Sequence, residues 1–127
     1  MAGFSGNSAL PAADEKYQYT AEEVQEFVKC AKDPVYFIKN YVKIMTVDAG
    51  LAPFELYEFQ ERMVQSFHDN RFTITMCSRQ VGKSTTVVAY FLYCILFNVN
   101  YSVCISANKQ KTAVDLLGKM KLAYEYL

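Results

Sequence analysis

Arg71-Phe72-Thr73-Ile74-Thr75-Met76-Cys77-Ser78-Arg79-Gln80-Val81-Gly82-Lys83-Ser84-Thr85 is the stretch on which the fold turns. Its first seven residues alternate polar and apolar and are rich in β-formers, which predicts a strand. Ser78 to Gly82 reads as a tight loop. From Lys83 to Phe97 the chain has helical length and is nearly apolar after Thr86, which predicts a helix buried on most sides. Strand, tight loop and helix form the setting in which the pattern G-x-x-x-x-G-K-[ST] cradles phosphates. Gly82, Lys83 and Ser84 meet its second half, and Cys77 stands where its first glycine would be.

Each residue of that loop has a physical task. Gly82 lets backbone pass close to phosphate oxygens, where a side chain would collide. Successive N–H groups of the loop, from Ser78 through Gln80 to Thr85, then point into one hollow at the positive end of the next helix. Lys83 has the length to reach the β- and γ-phosphates of ATP. Ser84 offers a hydroxyl to Mg²⁺. Arg79 has two readings. It is an arginine finger supplied in cis to the γ-phosphate, or it pairs with a surface carboxylate or another chain. Upstream, Gln60 carries both a donor and an acceptor, the pair needed to meet the two exposed edges of adenine. Tyr57 or Phe59 would supply an apolar wall beside it.

Downstream of the loop helix, residues 101–106 read as a second strand. Residues 109–127 read as an amphipathic helix, with Ala113, Leu116, Leu117, Met120 and Tyr124 on one stripe. This βαβα order predicts an α/β fold: a partial P-loop NTPase, a parallel sheet with flanking helices. An N-terminal helical segment precedes it. Thr20 and Glu23 form a capping box, predicting a helix from Ala21 to about Lys32. Asp33-Pro34 starts another, with Val35, Ile38 and Val42 on its apolar face. Residues 47–50 mark a turn, residues 54–56 a short extended stretch, and Glu58 to about Asp69 a helix. The division is therefore a flexible tail at 1–19, a helical and adenine-binding segment at 20–70, and the first part of the ATPase core at 71–127. Two parallel strands do not cover so apolar a helix, which points to the N-terminal piece of a longer protein.

The composition agrees with a folded chain. Of 127 residues, 52% are hydrophobic, which excludes intrinsic disorder. Net charge is zero, which excludes a generally basic, histone-like binder. The charge is uneven, however. Residues 1–70 carry six basic and eleven acidic side chains, and residues 71–127 carry seven and two. A phosphate ligand belongs in the second half. No pair among Cys30, Cys77, Cys94 and Cys104 is spaced as C-x-x-C and there is one His, which argues against zinc. Three of the cysteines lie in apolar runs and are expected buried, with reduced thiols. His68 is expected to meet the last carbonyls of its helix. The N-terminus lacks the charge and apolar core of a secretory signal. The longest apolar run, residues 87–97, is too short to span a bilayer.

Over roughly residues 20–127 the chain resembles the N-terminal ATPase region of the large terminase subunit of tailed phages, the DNA-packaging motor, in its myophage form. The carriers are Lys29-Cys30, Asp33-Pro34-Val35-Tyr36-Phe37 with Tyr41, Phe59-Gln60-Glu61-Arg62-Met63, the loop Ser78 to Thr85, and Ser106-Ala107-Asn108-Lys109. A Ser-Arg-Gln start in place of the usual glycine-rich one is typical of that family. The resemblance implies that Gln60 reads adenine beside Tyr57 or Phe59, and that Arg79 acts at the γ-phosphate. It implies that Gly82 and Lys83 hold the phosphates, and that Ser84, helped by Thr85, binds Mg²⁺. It implies an ATPase in the host cell cytoplasm, away from membranes, that drives double-stranded DNA into a procapsid. Its partners would be that DNA, the portal protein and the small terminase subunit, with the motor a ring on the portal.

The family also uses an apolar strand ending in Asp-Glu and a separate nuclease domain, and neither is in this sequence. After Cys104 the acids are Asp115 and Glu125, both inside the last expected helix. The chain alone is therefore expected to be hydrolytically inactive or nearly so, with weak ATP binding at most. Two alternatives stand beside this reading: a piece of a helicase-type ATPase that shares the adenine-reading Gln, and a short, non-hydrolytic protein that binds terminase or portal.

Overall fold

The first helix begins where its caps are written. Thr20 Oγ1 accepts the Glu23 N–H at 3.3 Å, and Glu23 Oε2 accepts the Thr20 N–H at 2.7 Å. This reciprocal pair satisfies N–H groups that a helix start leaves without intrahelical partners. Helix α1 then runs Ala21–Lys32. The computed structural model describes residues 18–46 and 50–127. Nearly all of the expected tail and most of the expected turn at 47–50 therefore lie outside the described residues.

Asp33 both ends α1 and starts α2, Pro34–Tyr41. Its Oδ1 accepts the N–H groups of Val35 at 2.9 Å and Tyr36 at 3.2 Å, while Pro34 has no N–H to satisfy. Helix α2 buries Phe37 and Ile38, and Val42 just beyond it is also buried. Two short strands follow, β1 at Lys43–Thr46 and β2 at Gly50–Pro53. They pair antiparallel, with Lys43 opposite Pro53 and Thr46 opposite Gly50. The remaining helices are α3 (Glu58–Asp69), α4 (Lys83–Phe97) and α5 (Gln110–Glu125).

Helix α4 is the hub and packs on α2, α3 and α5. Its Val88, Ala89, Leu92, Tyr93 and Cys94 are buried. Of these, Ala89, Leu92, Tyr93 and Cys94 join Cys30, Phe37, Ile38, Val42, Val64 and Ala123 in one apolar cluster. Aromatic rings bind its lower end: Phe37 meets Phe97 edge-on at 5.2 Å, and Tyr93 meets Phe97 at 5.1 Å. The Tyr93 hydroxyl donates to the Ala31 carbonyl at 2.6 Å, which fastens α4 to the end of α1. His68, in the last turn of α3, lies edge-on to Tyr93 at 6.0 Å. Among the described residues no helix is long and apolar enough to cross a membrane.

The expected parallel α/β sheet is not formed. The described residues are mostly helical, and the one sheet among them is the antiparallel β1–β2 pair. Residues 71–77 and 101–106 have the composition of strands but no ladder partner. A parallel strand is stabilised by neighbours on its edges and by helices on both faces. Without them, alternation alone does not make a strand. Phe72 is 84% exposed, and Ile74 and Met76 are each 93% exposed. The same absence explains the cysteines. Cys30 and Cys94, on helices, are buried, whereas Cys77 and Cys104, on the unpaired segments, are exposed. Helix α4 is covered round most of its circumference after Thr86, as expected, with Ile95 the one exposed residue of 86–97 at 38%. Helix α5 turns Leu117 and Tyr124 outward and buries Ala123 instead.

Candidate phosphate loop and adjoining hollow

The loop before α4 is shaped by two left-handed residues, Gln80 (φ 63°) and Gly82 (φ 77°). Two such residues flanking Val81 curl the backbone tightly, the kind of turn that turns N–H groups inward. Gly82 is also the N-cap of α4. It has no side chain to donate to, so the first-turn N–H groups of Lys83, Ser84 and Thr85 receive no side-chain cap. The first turn of α4 also holds no acid, unlike α1 with Glu22 and Glu23 or α3 with Glu58 and Glu61. The positive end of a fifteen-residue helix is thus left open to an anion.

Three contacts hold this loop. Lys83 Nζ donates back to the Ser78 carbonyl at 3.2 Å and closes the curl. Thr86, fully buried, donates its hydroxyl to the Gly82 carbonyl at 3.1 Å. Gln60, from the first turn of α3, donates Nε2 to the Val81 carbonyl at 3.2 Å. The other end of the same amide, Oε1, accepts the Tyr57 N–H at 2.9 Å and caps α3. Gln60 is only 2% exposed. A Cβ on Gly82 would lie 2.7 Å from Gln60 Nε2, closer than real Cβ atoms approach a neighbour. Only glycine combines this φ with this approach.

Beside the loop is an open hollow of about 720 Å³. Gln80, Val81, Gly82 and Thr85 line it on the loop side, and Tyr57, Phe59 and Gln60 on the α3 side. Tyr57 and Phe59 stack at 5.9 Å with ring planes 10° apart, and both rings are exposed to solvent. The sequence reading foresaw this convergence of Gln60, Tyr57 and Phe59 on the loop. It missed the third wall. The β1–β2 hairpin and the residues after it supply Ile44, Thr46, Ala52, Pro53, Phe54 and Glu55. Glu55 is the single carboxylate on that lining. The sequence reading placed a turn at 47–50 and assigned no element to residues 43–46.

The remaining predicted residues are near but differently disposed. Ser84 and Arg79 are exposed, and no ion pair engages Arg79 among the described residues. Ser78 contributes its carbonyl, as the acceptor for Lys83. Thr85 is half-buried and lines the hollow. Thr86, the buried clamp on Gly82, was not foreseen.

The donor set suits a magnesium-bound polyphosphate: an uncapped helix start, an ammonium folded over the loop, and the Ser84 hydroxyl. Among the described residues no group of three or more His, Cys, Asp or Glu is gathered to hold a metal directly. Mg²⁺ would accordingly be held by Ser84 and by the phosphates themselves. No protein-family model matches the sequence, so the reading of this site rests on its own residues.

Proposed function

We propose that this chain binds ATP with Mg²⁺ at the loop 78–85, and that it serves as the nucleotide-gripping part of a DNA-packaging motor of the terminase large-subunit type. The observation that carries the binding is the loop itself, with Gly82 in a left-handed conformation at 77° and Lys83 folded over it to Ser78. In this reading Lys83 exchanges the Ser78 carbonyl for phosphate oxygens. Backbone N–H groups of residues 82–85 meet the same oxygens, and the purine lies in the hollow against Tyr57 and Phe59. The Ser84 hydroxyl takes one position on the metal, which neutralises phosphate charge when bound. Double-stranded DNA, the portal protein and the small terminase subunit are proposed partners by resemblance alone. The chain by itself is proposed not to turn ATP over, since the hollow offers one carboxylate, Glu55, and no paired acids.

Calorimetric titration with ATP and Mg²⁺ tests the binding. Lys83→Ala is expected to weaken it roughly 10- to 150-fold, the range for losing a hydrogen bond to a charged partner. Equal affinity in the two proteins, or none in the unaltered chain, refutes the site.

A second reading has one observation in its favour. The exposed Phe72, Ile74, Met76 and Val99 side chains suit a chain that binds protein partners without hydrolysis. Partner binding that persists in a chain unable to bind ATP would favour it.

A further inference from the structure

The Gln60 amide occupies an unusual position for a base reader. It is 2% exposed, and each of its ends is already engaged. Oε1 holds the Tyr57 N–H at 2.9 Å, and Nε2 holds the Val81 carbonyl at 3.2 Å. The side chain bridges two elements twenty-one residues apart in sequence. It also lies where a Gly82 Cβ would be, so the glycine lets the loop settle directly on the amide. A group that reads adenine needs a donor and an acceptor facing the ligand. Here the acceptor fixes the start of α3 and the donor fixes the loop.

We infer that Gln60 is the positioning residue of the phosphate loop: it sets the height of Val81 and Gly82 over the N-terminus of α4 and does not select the base. The inference deepens the nucleotide-binding reading and rests on it for the ligand, though not for the geometry. On this reading the stacked Tyr57 and Phe59 rings offer a flat apolar wall that any nucleobase can use. The loop then binds polyphosphate with little regard to what is attached. The α3 start and the loop move together, because one amide spans both.

The test uses Gln60→Glu in the whole chain. The carboxylate still accepts the Tyr57 N–H, so the α3 cap survives. Facing Val81 it puts oxygen against a carbonyl oxygen, so the loop contact is lost. Gly82→Ala attacks the same contact from the loop side, should the first variant misfold. Each protein is titrated with magnesium and ATP, GTP or inorganic tripolyphosphate. Amide exchange is followed across residues 79–84. The expected result is a common loss of about tenfold for all three ligands, the size of one buried hydrogen bond. Exchange in the loop should quicken by a similar factor while α1 and α2 keep their protection. A loss confined to ATP overturns the inference and returns Gln60 to base reading. Unchanged loop exchange in Gln60→Glu also overturns it. If the unaltered chain binds none of the three ligands, the nucleotide-binding reading fails, and loop exchange still decides whether Gln60 positions the loop.

Discussion

Gly82→Ala is the most informative single change in the chain. Two separate penalties meet at this position. Alanine at φ 77° sits in the left-handed region, which costs an L-residue about 1–2 kcal/mol. Its Cβ would then stand 2.7 Å from Gln60 Nε2, so the amide must swing away. Swinging away forfeits the bond to Val81 and strains the bond to Tyr57, at about 0.5–1.5 kcal/mol for the first. The sum is about 1.5–3.5 kcal/mol of lost stability, a large share of what a small domain has. Urea unfolding followed by far-UV circular dichroism measures it. A double-mutant cycle separates the two terms. In a Gln60→Ala background the collision is gone, so Gly82→Ala should cost only the backbone strain, about 1–2 kcal/mol. A Gly82→Ala cost that is the same with and without Gln60, or that stays below about 0.5 kcal/mol throughout, would show that the loop does not rest on the amide as described.

Three further outcomes test the rest of the fold. Glu26 accepts the hydroxyls of Tyr36 at 2.7 Å and Tyr41 at 3.0 Å and pairs with Lys29 at 3.2 Å, which holds its carboxyl below the ordinary 4.5. A depressed carboxylate stabilises fully above its ordinary value and loses that contribution as pH falls through 4.5 and below, so Glu26→Gln should flatten the acid limb of a stability–pH curve, and an unaltered limb would sink the assignment. At the alkaline end Tyr41, pushed up to about 12 by burial and then by its bond to Glu26, should ionise late in an ultraviolet titration. Thiol labelling should divide the cysteines into a fast pair, Cys77 and Cys104, and a slow pair, Cys30 and Cys94, because the latter are buried and burial pushes their thiols up; four equal rates would mean that α1 and α4 do not pack as described.

Helices were legible in this sequence because their signals are local. Thr20 and Glu23 lie three residues apart, Asp33 precedes its own Pro34, and the apolar spacing of α3 and α4 needs no knowledge of neighbours. Strands were not, because what makes a strand is the strand beside it. Residues 71–77 carry the better β-pattern yet stand unpaired. Residues 43–46 and 50–53 include a Lys, a Gly and a Pro, and they pair because the chain folds back on itself within eleven residues. Proximity made the hairpin, at a loop-closure cost that composition does not reveal. The site was half legible for the same reason. The loop residues and the aromatic pair are contiguous patterns, whereas the hairpin wall and the Thr86 clamp depend on packing.

The core and the loop are held by different physics, and this bears on how the site can work. The core is an apolar cluster shared by α1, α2, α3, α4 and α5, so its loss would be felt across all five helices. The loop hangs on three side-chain hydrogen bonds, from Gln60, Thr86 and Lys83. Thr86 is on α4 and buried, so it moves only with the core. Lys83 reaches back to a loop carbonyl and is the contact a polyphosphate would compete for. Among the described residues, Gln60 supplies the side-chain hydrogen bond that connects the loop to another helix. A ligand that pulled Lys83 off Ser78 would therefore leave the loop held by two anchors, one rigid and one shared with the α3 cap. Any displacement of the loop on binding must then pass through Gln60 to Tyr57, whose ring lines the same hollow. The Tyr57 end of α3 and the loop at Val81 are joined through one amide, and that link needs neither a sheet nor a large movement of the helices.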